Sequence, residues 1–297
     1  MATIAEPPID AVARRPDAPL HRGWTRTRVL RLVLLGVGAA VFVFPFYYMV
    51  VISLKTQPDV GLAAAVPSGL SLQNYGAIND AINLGRTLAS SGIFTGGVLL
   101  LTLVFGLLAG YALALLNWRG KNTVYYGMLL VLILPFQLLI IPLYVLMARN
   151  FGLGDSYLGM ILPFAINSAA VFIFRQFFLQ LPKDIFEAAR IDGASELQTL
   201  TRVVIPLTRP AILTAMLVTF IGPWNEFLWP FLITKLLALE PLAVALAVFM
   251  SNVMQRQANP AGALLAGAVV LSAPVVILFL LFQRQFVESS IGSSVKG

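Results

Sequence analysis

The sequence predicts an all-α membrane protein: six transmembrane helices, both termini cytoplasmic, and a two-helix cytoplasmic loop between the fourth and fifth spans. Three observations carry that expectation. The 297 residues are 59% hydrophobic and 11% charged, with a mean hydropathy of +0.86, whereas a soluble domain carries about 25% charged residues. The apolar residues fall in continuous runs, not in the short alternating segments of a membrane barrel. Lys and Arg are shared unequally between the connections that join the runs.

A spanning helix needs about 20 apolar residues. Six runs meet this: Leu30–Leu54, Ser91–Leu116, Thr123–Met147, Tyr157–Leu179, Ala211–Thr234 and Ala263–Phe282. The first follows a long Pro-, Ala- and Arg-rich tail, and "SLKTQPD" after it is not a small-residue cleavage site, so it reads as a span and not as a signal peptide. With the N-terminus inside, only Lys55, Arg86, Arg149, Lys235 and Arg256 of the 20 Lys and Arg fall outside. That asymmetry places both termini in the cytoplasm. It also explains the net charge of +7 as topology rather than as a nucleic-acid surface.

Three parts follow: a disordered cytoplasmic tail over 1–29, a membrane domain over 30–283, and a cytoplasmic tail over 284–297. The outer connections near 55–90 and 235–262 are long enough for short helices against which an external partner can dock. There is no Cys, so disulfide and thiol chemistry lack their residues, and the single His21 sits in the polar tail and reads as solvated and not as a metal ligand.

Residues 181–210, "LPKDIFEAARIDGASELQTLTRVVIPLTRP", are the polar exception between two apolar runs. Pro182 suits a helix first turn, and Asp184 and Glu187 favour the positive end of the helix dipole. Gly193 is a stop that takes positive φ. Ser195 and Gln198 form a capping-box pattern for a second helix. Leu197, Leu200, Thr201 and Val204 would share one face of it. Pro206 and Pro210 would end it. The residues alone leave two readings open: an interfacial loop that stabilises the fold, or a docking element, since the small side chains of Ala188 and Ala189 beside Glu187 permit close approach.

Few polar groups lie within the runs, and each is a candidate functional position. "GPWNEFLWP" places Asn225 and Glu226 between Trp224 and Trp229. Aromatic faces beside hydrogen-bonding groups suit sugars; structural hydrogen bonding between spans is the equal alternative. Asn167 and Gln137 are weaker candidates of the same kind, the latter between Pro135 and Pro142, which predict kinks. Gly106 and Gly110 form a G-x-x-x-G pattern for close helix packing, with a partner chain as the candidate for the other side.

The segment "EAARIDGASELQTLTRVVIP" resembles the EAA loop of ABC importer permeases. Glu187, Ala188 and Ala189 are followed after three residues by Gly193, and after nine more by Val203, Val204, Ile205 and Pro206. Val203 and Ile205 replace the family's Ile and Leu. "SLKTQPDV", "WNEFLWP" and the ending "QRQFVESSIGSSVKG" are similar to the binding-protein-dependent carbohydrate subtype that includes the second maltose permease subunit.

The resemblance implies an ATP-driven carbohydrate importer in which this chain is a permease and not an enzyme. The ATPase-coupling residues would be Glu187, Ala188, Ala189, Arg190, Asp192, Gly193 and Ser195. The implied partners are a second, different permease subunit, two copies of a cytoplasmic ATP-binding subunit and an external substrate-binding protein, in the bacterial inner membrane. No cofactor would be bound by this chain; ATP and magnesium would sit on the ATPase subunits, and no P-loop motif is present here. A stand-alone secondary transporter or channel is the competing class. It would want ion-coupling charges and internal repeats, and Glu226 is the one acid well inside a run. A membrane enzyme would need paired carboxylates or a nucleophile–base set, which the pattern lacks.

Overall fold

The computed structural model describes residues 26–292 except 59, 60, 62–64 and 253, and the backbone alone for 284–292. Most of the N-terminal tail and the end of the C-terminal tail lie outside these residues. The chain divides into two compact units, Met1–Tyr47 and Tyr48–Gly297.

Within the first unit the described residues belong to one helix, α1 (Arg26–Ser53), which continues into the second unit. It is apolar, and side chains such as Leu35, Val41 and Phe42 are exposed, as a lipid-facing helix requires.

Among the described residues of the second unit the regular elements are all helices; their one β pairing is an isolated bridge between Lys55 and Leu70. The helices in order are α2 (Gln73–Ile82), α3 (Leu84–Ala114), α4 (Lys121–Ile133), α5 (Phe136–Tyr144), α6 (Tyr157–Ile161) and α7 (Ser168–Leu179). They continue with α8 (Lys183–Ile191), α9 (Glu196–Gln198), α10 (Ile205–Leu207), α11 (Arg209–Asn225), α12 (Leu228–Ile233), α13 (Leu242–Asn252) and α14 (Pro260–Gly292). π-Helical turns at Val145–Asn150 and Thr199–Val204 extend α5 and join α9 to α10.

Three helices are long and apolar enough to cross a membrane unbroken: α1, α3 and the Pro260–Gln283 part of α14. Three bent pairs pass the same test, giving up to six spans if each pair is one. The runs expected as the third and fourth spans are therefore not single helices, and the remaining bent pair, Glu196–Leu207 with Arg209–Asn225, turns by 82° at the entry to the fifth. The third breaks between Ile133 and Phe136 with a 100° bend. Leu134 precedes Pro135 and is extended, at φ −75° and ψ 120°, because the proline ring crowds the helical conformation of its predecessor. The fourth breaks before Ser168 with a 46° bend. The fifth run begins in α11, whose 17 residues rise only about 25 Å. It stops at Asn225 and resumes as α12. At the other end α14 runs past the expected limit at Phe282 to Gly292.

Packing explains how the second unit closes. α3 is its axis, and α7 lies along it where Gly106 and Gly110 leave room. A methyl on Gly110 would come within 2.7 Å of Phe174 Cβ and 3.3 Å of the Arg175 amide nitrogen. The G-x-x-x-G pattern therefore serves a contact inside the chain. One core cluster joins the C-terminal part of α3 to α7, α8, the π-turn and α11 through Tyr111, Phe174, Phe178, Phe186, Leu200 and Val204. A second joins α2, α13 and the start of α14 through Ile78, Leu242, Phe249 and Ala263. The two long connections expected to carry short helices do so, as α2 and α13.

Candidate functional site

The polar segment folds as two helices on an elbow. α8 starts after Pro182, with Asp184 in its first turn and Arg190 in its last, both matched to the helix dipole. Gly193 has φ +76° and nothing within 4 Å of the position a Cβ would take, so conformation alone calls for glycine there. Ser195 then caps α9: its Oγ accepts from the Gln198 amide at 3.3 Å, and the Ser195 amide donates to Gln198 Oε1 at 2.9 Å. Both orphan amides of the capping box are satisfied.

α8 is divided by face. Phe186 and Ala189 are buried, while Glu187, Ala188, Arg190, Asp192, Gly193 and Ser195 are exposed. Of the two alanines, only Ala188 is open to another protein. Ile191, 87% exposed, adds an apolar side chain to the uncovered surface. The expected face of the second helix does not form. Leu197 is 62% exposed and Thr201 is exposed, whereas Thr199, Leu200 and Val204 are buried. The π-turn from Thr199 widens the helical repeat, so the burial positions leave the 3.6-residue spacing.

Sequence reasoning passed over Glu196, which the fold makes central. One of its carboxylate oxygens accepts from the Tyr111 hydroxyl of α3 at 2.5 Å, and the other from Arg190 of α8 at 3.4 Å. A cavity of about 430 Å³ separates these elements, lined by Tyr111, Phe178, Lys183, Glu187, Arg190 and Glu196. A tyrosine at the end of an apolar run and an acid three residues past a glycine were the available signals; neither points to the other without the fold.

The candidate pathway residues occupy structural positions in this conformation. Trp229 is fully buried, and its indole N–H donates to the Gly159 carbonyl at 3.1 Å. Trp224 is buried, stacks on Phe220 and donates to the Leu271 carbonyl at 2.8 Å. Glu226 accepts from the Trp229 amide at 3.1 Å, at the break between α11 and α12. Asn167 accepts from the amides of Ala169 and Ala170, capping α7 at its own break. Asn225 and Gln137 are exposed, and the Asn225 amide donates to the Ile221 carbonyl.

The structure brings these breaks together. Phe136, just after the first break, lies 5.0 Å from Phe164, just before the second, and 6.2 Å from Trp229, just after the third. Discontinuous helices that meet inside a bundle are a recurrent feature of transporters.

At the opposite end from α8, side-chain amides and one carboxylate join the connections. Asn74 donates to the carbonyls of Ser53 and Lys55 at 2.9 and 2.7 Å, and Asn259 donates to Lys55 at 3.0 Å. Asp155 accepts from the Lys235 amide at 2.6 Å, the Thr234 hydroxyl at 3.0 Å and the Leu236 amide at 3.3 Å. The Lys235 amide first, and the Thr234 hydroxyl after it, hold the Asp155 carboxyl below its ordinary pKa. Burial pushes Glu240 the other way, partly opposed by Arg86 at 3.8 Å.

Apolar helices of spanning length, spans broken by proline and caps, and an exposed two-helix loop define a polytopic membrane protein built as a transporter component. The particular family is settled by comparison. The chain belongs to the family described as "Binding-protein-dependent transport system inner membrane component", which matches residues 102–289. It is 33% identical over 273 residues to the arabinooligosaccharides transport system permease protein AraQ of Halalkalibacterium halodurans, covering 89% of this chain and 96% of that one. It is 32% identical to the trehalose transport system permease protein SugB of Mycobacterium tuberculosis, covering 89% and 95%. A crystal structure of a bacterial ABC transporter involved in the import of the acidic polysaccharide alginate contains a chain of the same fold, with TM-score 0.77, 24% identity, and 88% and 98% covered. The chain is thus a multi-pass inner-membrane component of a binding-protein-dependent transport system, similar to permease proteins of sugar ABC transport systems and a transport subunit by family.

Proposed function

We propose that this chain is one translocation subunit of an ATP-driven importer for a carbohydrate. Six spans, three of them broken, would carry it through the membrane with both termini in the cytoplasm. α8 would be the coupling helix, seated in a groove of a cytoplasmic ATP-binding subunit and contacting it through Glu187, Ala188, Arg190, Asp192 and Ser195 around the Gly193 elbow. Two such ATPases, carrying ATP and magnesium, would drive this permease and a second, different one between inward- and outward-open states. An external binding protein would deliver substrate to the face formed by α2 and α13.

The division of α8 is the observation that carries the reading. One face is locked into the core by Phe186, and the other presents Glu187 and Ala188 with no covering chain contact among the described residues. A helix held on one side and free on the other transmits a push into the bundle. The cargo named for the relatives supports a carbohydrate as substrate class. Asn225, Glu226, Trp224, Trp229, Asn167 and Gln137 remain the proposed pathway set, reached by reopening of the helix breaks.

The test is co-expression with the cognate ATPase and second permease, followed by uptake into proteoliposomes with the binding protein. Glu187→Arg and Gly193→Pro are expected to abolish ATPase association and uptake. Full association and uptake in both variants would refute the coupling role, and uptake by the isolated chain without ATP would favour a secondary transporter.

A further inference from the structure

We propose that Glu196 is a positioning residue that ties α8 to α3, so that displacement of the coupling helix reaches the membrane-spanning bundle instead of being absorbed at the elbow. The inference rests on α8 being the coupling helix and adds the part that makes its movement productive.

The geometry has three features. First, a single carboxylate joins three elements: it begins α9, accepts from Tyr111 at the end of α3, and accepts from Arg190 in the last turn of α8. Second, its own position is fixed, because the capping box of Ser195 and Gln198 holds the turn from which it projects. Third, the 430 Å³ cavity lies between α8 and the ends of α3 and α7. Close packing therefore fails on that side, and α8 could tilt into the gap if only Phe186 held it.

The two arms of the link differ in strength. Arg190 and Glu196 have side chains 58% and 49% exposed, and an exposed ion pair is a weak restraint. Tyr111 is 5% exposed, with its ring edge-on to Phe178 at 6.4 Å. Its hydroxyl donates to a charged acceptor, which makes a stronger bond from an anchored donor. Tyr111 would supply the rigid anchor, and Arg190 the connection to the moving helix.

The experiment uses the whole transporter, reconstituted with ATPases, second permease and binding protein, and reads ATP hydrolysed per sugar imported. Tyr111→Phe removes one oxygen, and Glu196→Ala removes the carboxylate. Each is expected to raise the ATP cost per sugar on the order of tenfold while assembly yield and stimulated hydrolysis persist. The double variant should be no worse than Glu196→Ala. Glu196→Gln can keep both contacts, its amide oxygen accepting from Arg190 and its amide nitrogen donating to the Tyr111 oxygen, and should stay within about threefold of wild type. A parallel fall of hydrolysis and uptake at unchanged ratio, an unchanged wild-type ratio, or additive effects would overturn the proposal. Failure of the underlying reading is separable: the wild-type complex itself would then lack ATP-driven uptake or would not retain the ATPase.

Discussion

Gly110 of α3 lies beneath Phe174 of α7 so closely that a methyl on the glycine would stand 2.7 Å from Phe174 Cβ. That atom is rooted in the backbone and has no rotamer by which to retreat. Gly110→Val is therefore expected to destabilise the assembled helices by about 1–3 kcal/mol through overpacking. Thermal unfolding in detergent checks this. An unchanged melting temperature would show that the α3–α7 contact is looser than described.

Gly193 poses the opposite problem, with open space around it and a left-handed backbone. Gly193→Ala is expected to cost about 1–2 kcal/mol from conformation alone. Gly193→Asn should cost less, because asparagine tolerates that region. If Gly193→Val proved as mild as Gly193→Asn in ATPase retention, backbone conformation would not be what the position requires.

Trp229 fills the centre of the cluster where the three breaks meet, among Phe94, Val98, Met160 and Ile233. Trp229→Ala is expected to lose about 3–5 kcal/mol. Trp229→Phe keeps the ring surface but leaves the Gly159 carbonyl without its donor, at about 1–3 kcal/mol. A Trp229→Ala protein with wild-type stability and reduced uptake would move the residue from core to pathway.

Asp155 contributes a pH dependence of defined sign. Its folded pKa is lowered by the Lys235 amide and the Thr234 hydroxyl, so its stabilisation is present above the unfolded value, about 3.9. It is lost as pH falls through the lower folded value. Asp155→Asn should flatten the acid side of a stability–pH profile below about pH 4 and leave the slope near neutrality unaltered. An identical acid limb in the variant would remove Asp155 from the linkage.

Much of this protein was legible from local chemistry. Hydrophobic runs marked the apolar helices of spanning length because a bilayer core admits few charges, while the proposed orientation rests on the Lys and Arg counts alone. The capping box at Ser195 and Gln198 and the positive φ of Gly193 were readable because caps and left-handed turns depend on neighbours within a few residues. The spacing from Glu187 to Pro206 pointed to the family for the same reason.

What the tertiary structure decided lies in contacts between residues far apart in the chain. Hydropathy averages over the third and fifth runs, so their breaks rest on local chemistry instead: the kink expected at Pro135 falls where that ring acts on Leu134, and Glu226 accepts from the Trp229 amide at the other. The π-turn turned Leu197 outward against the periodic pattern. Only folding showed that the Gly106–Gly110 face is taken by α7, and that Trp224 and Trp229 spend their N–H groups on carbonyls of other helices. The bond between Tyr111 and Glu196 spans 85 positions. No local pattern encodes a pairing at that separation; it exists because α3 and α7 pack tightly enough to bring the end of one span to the start of the loop.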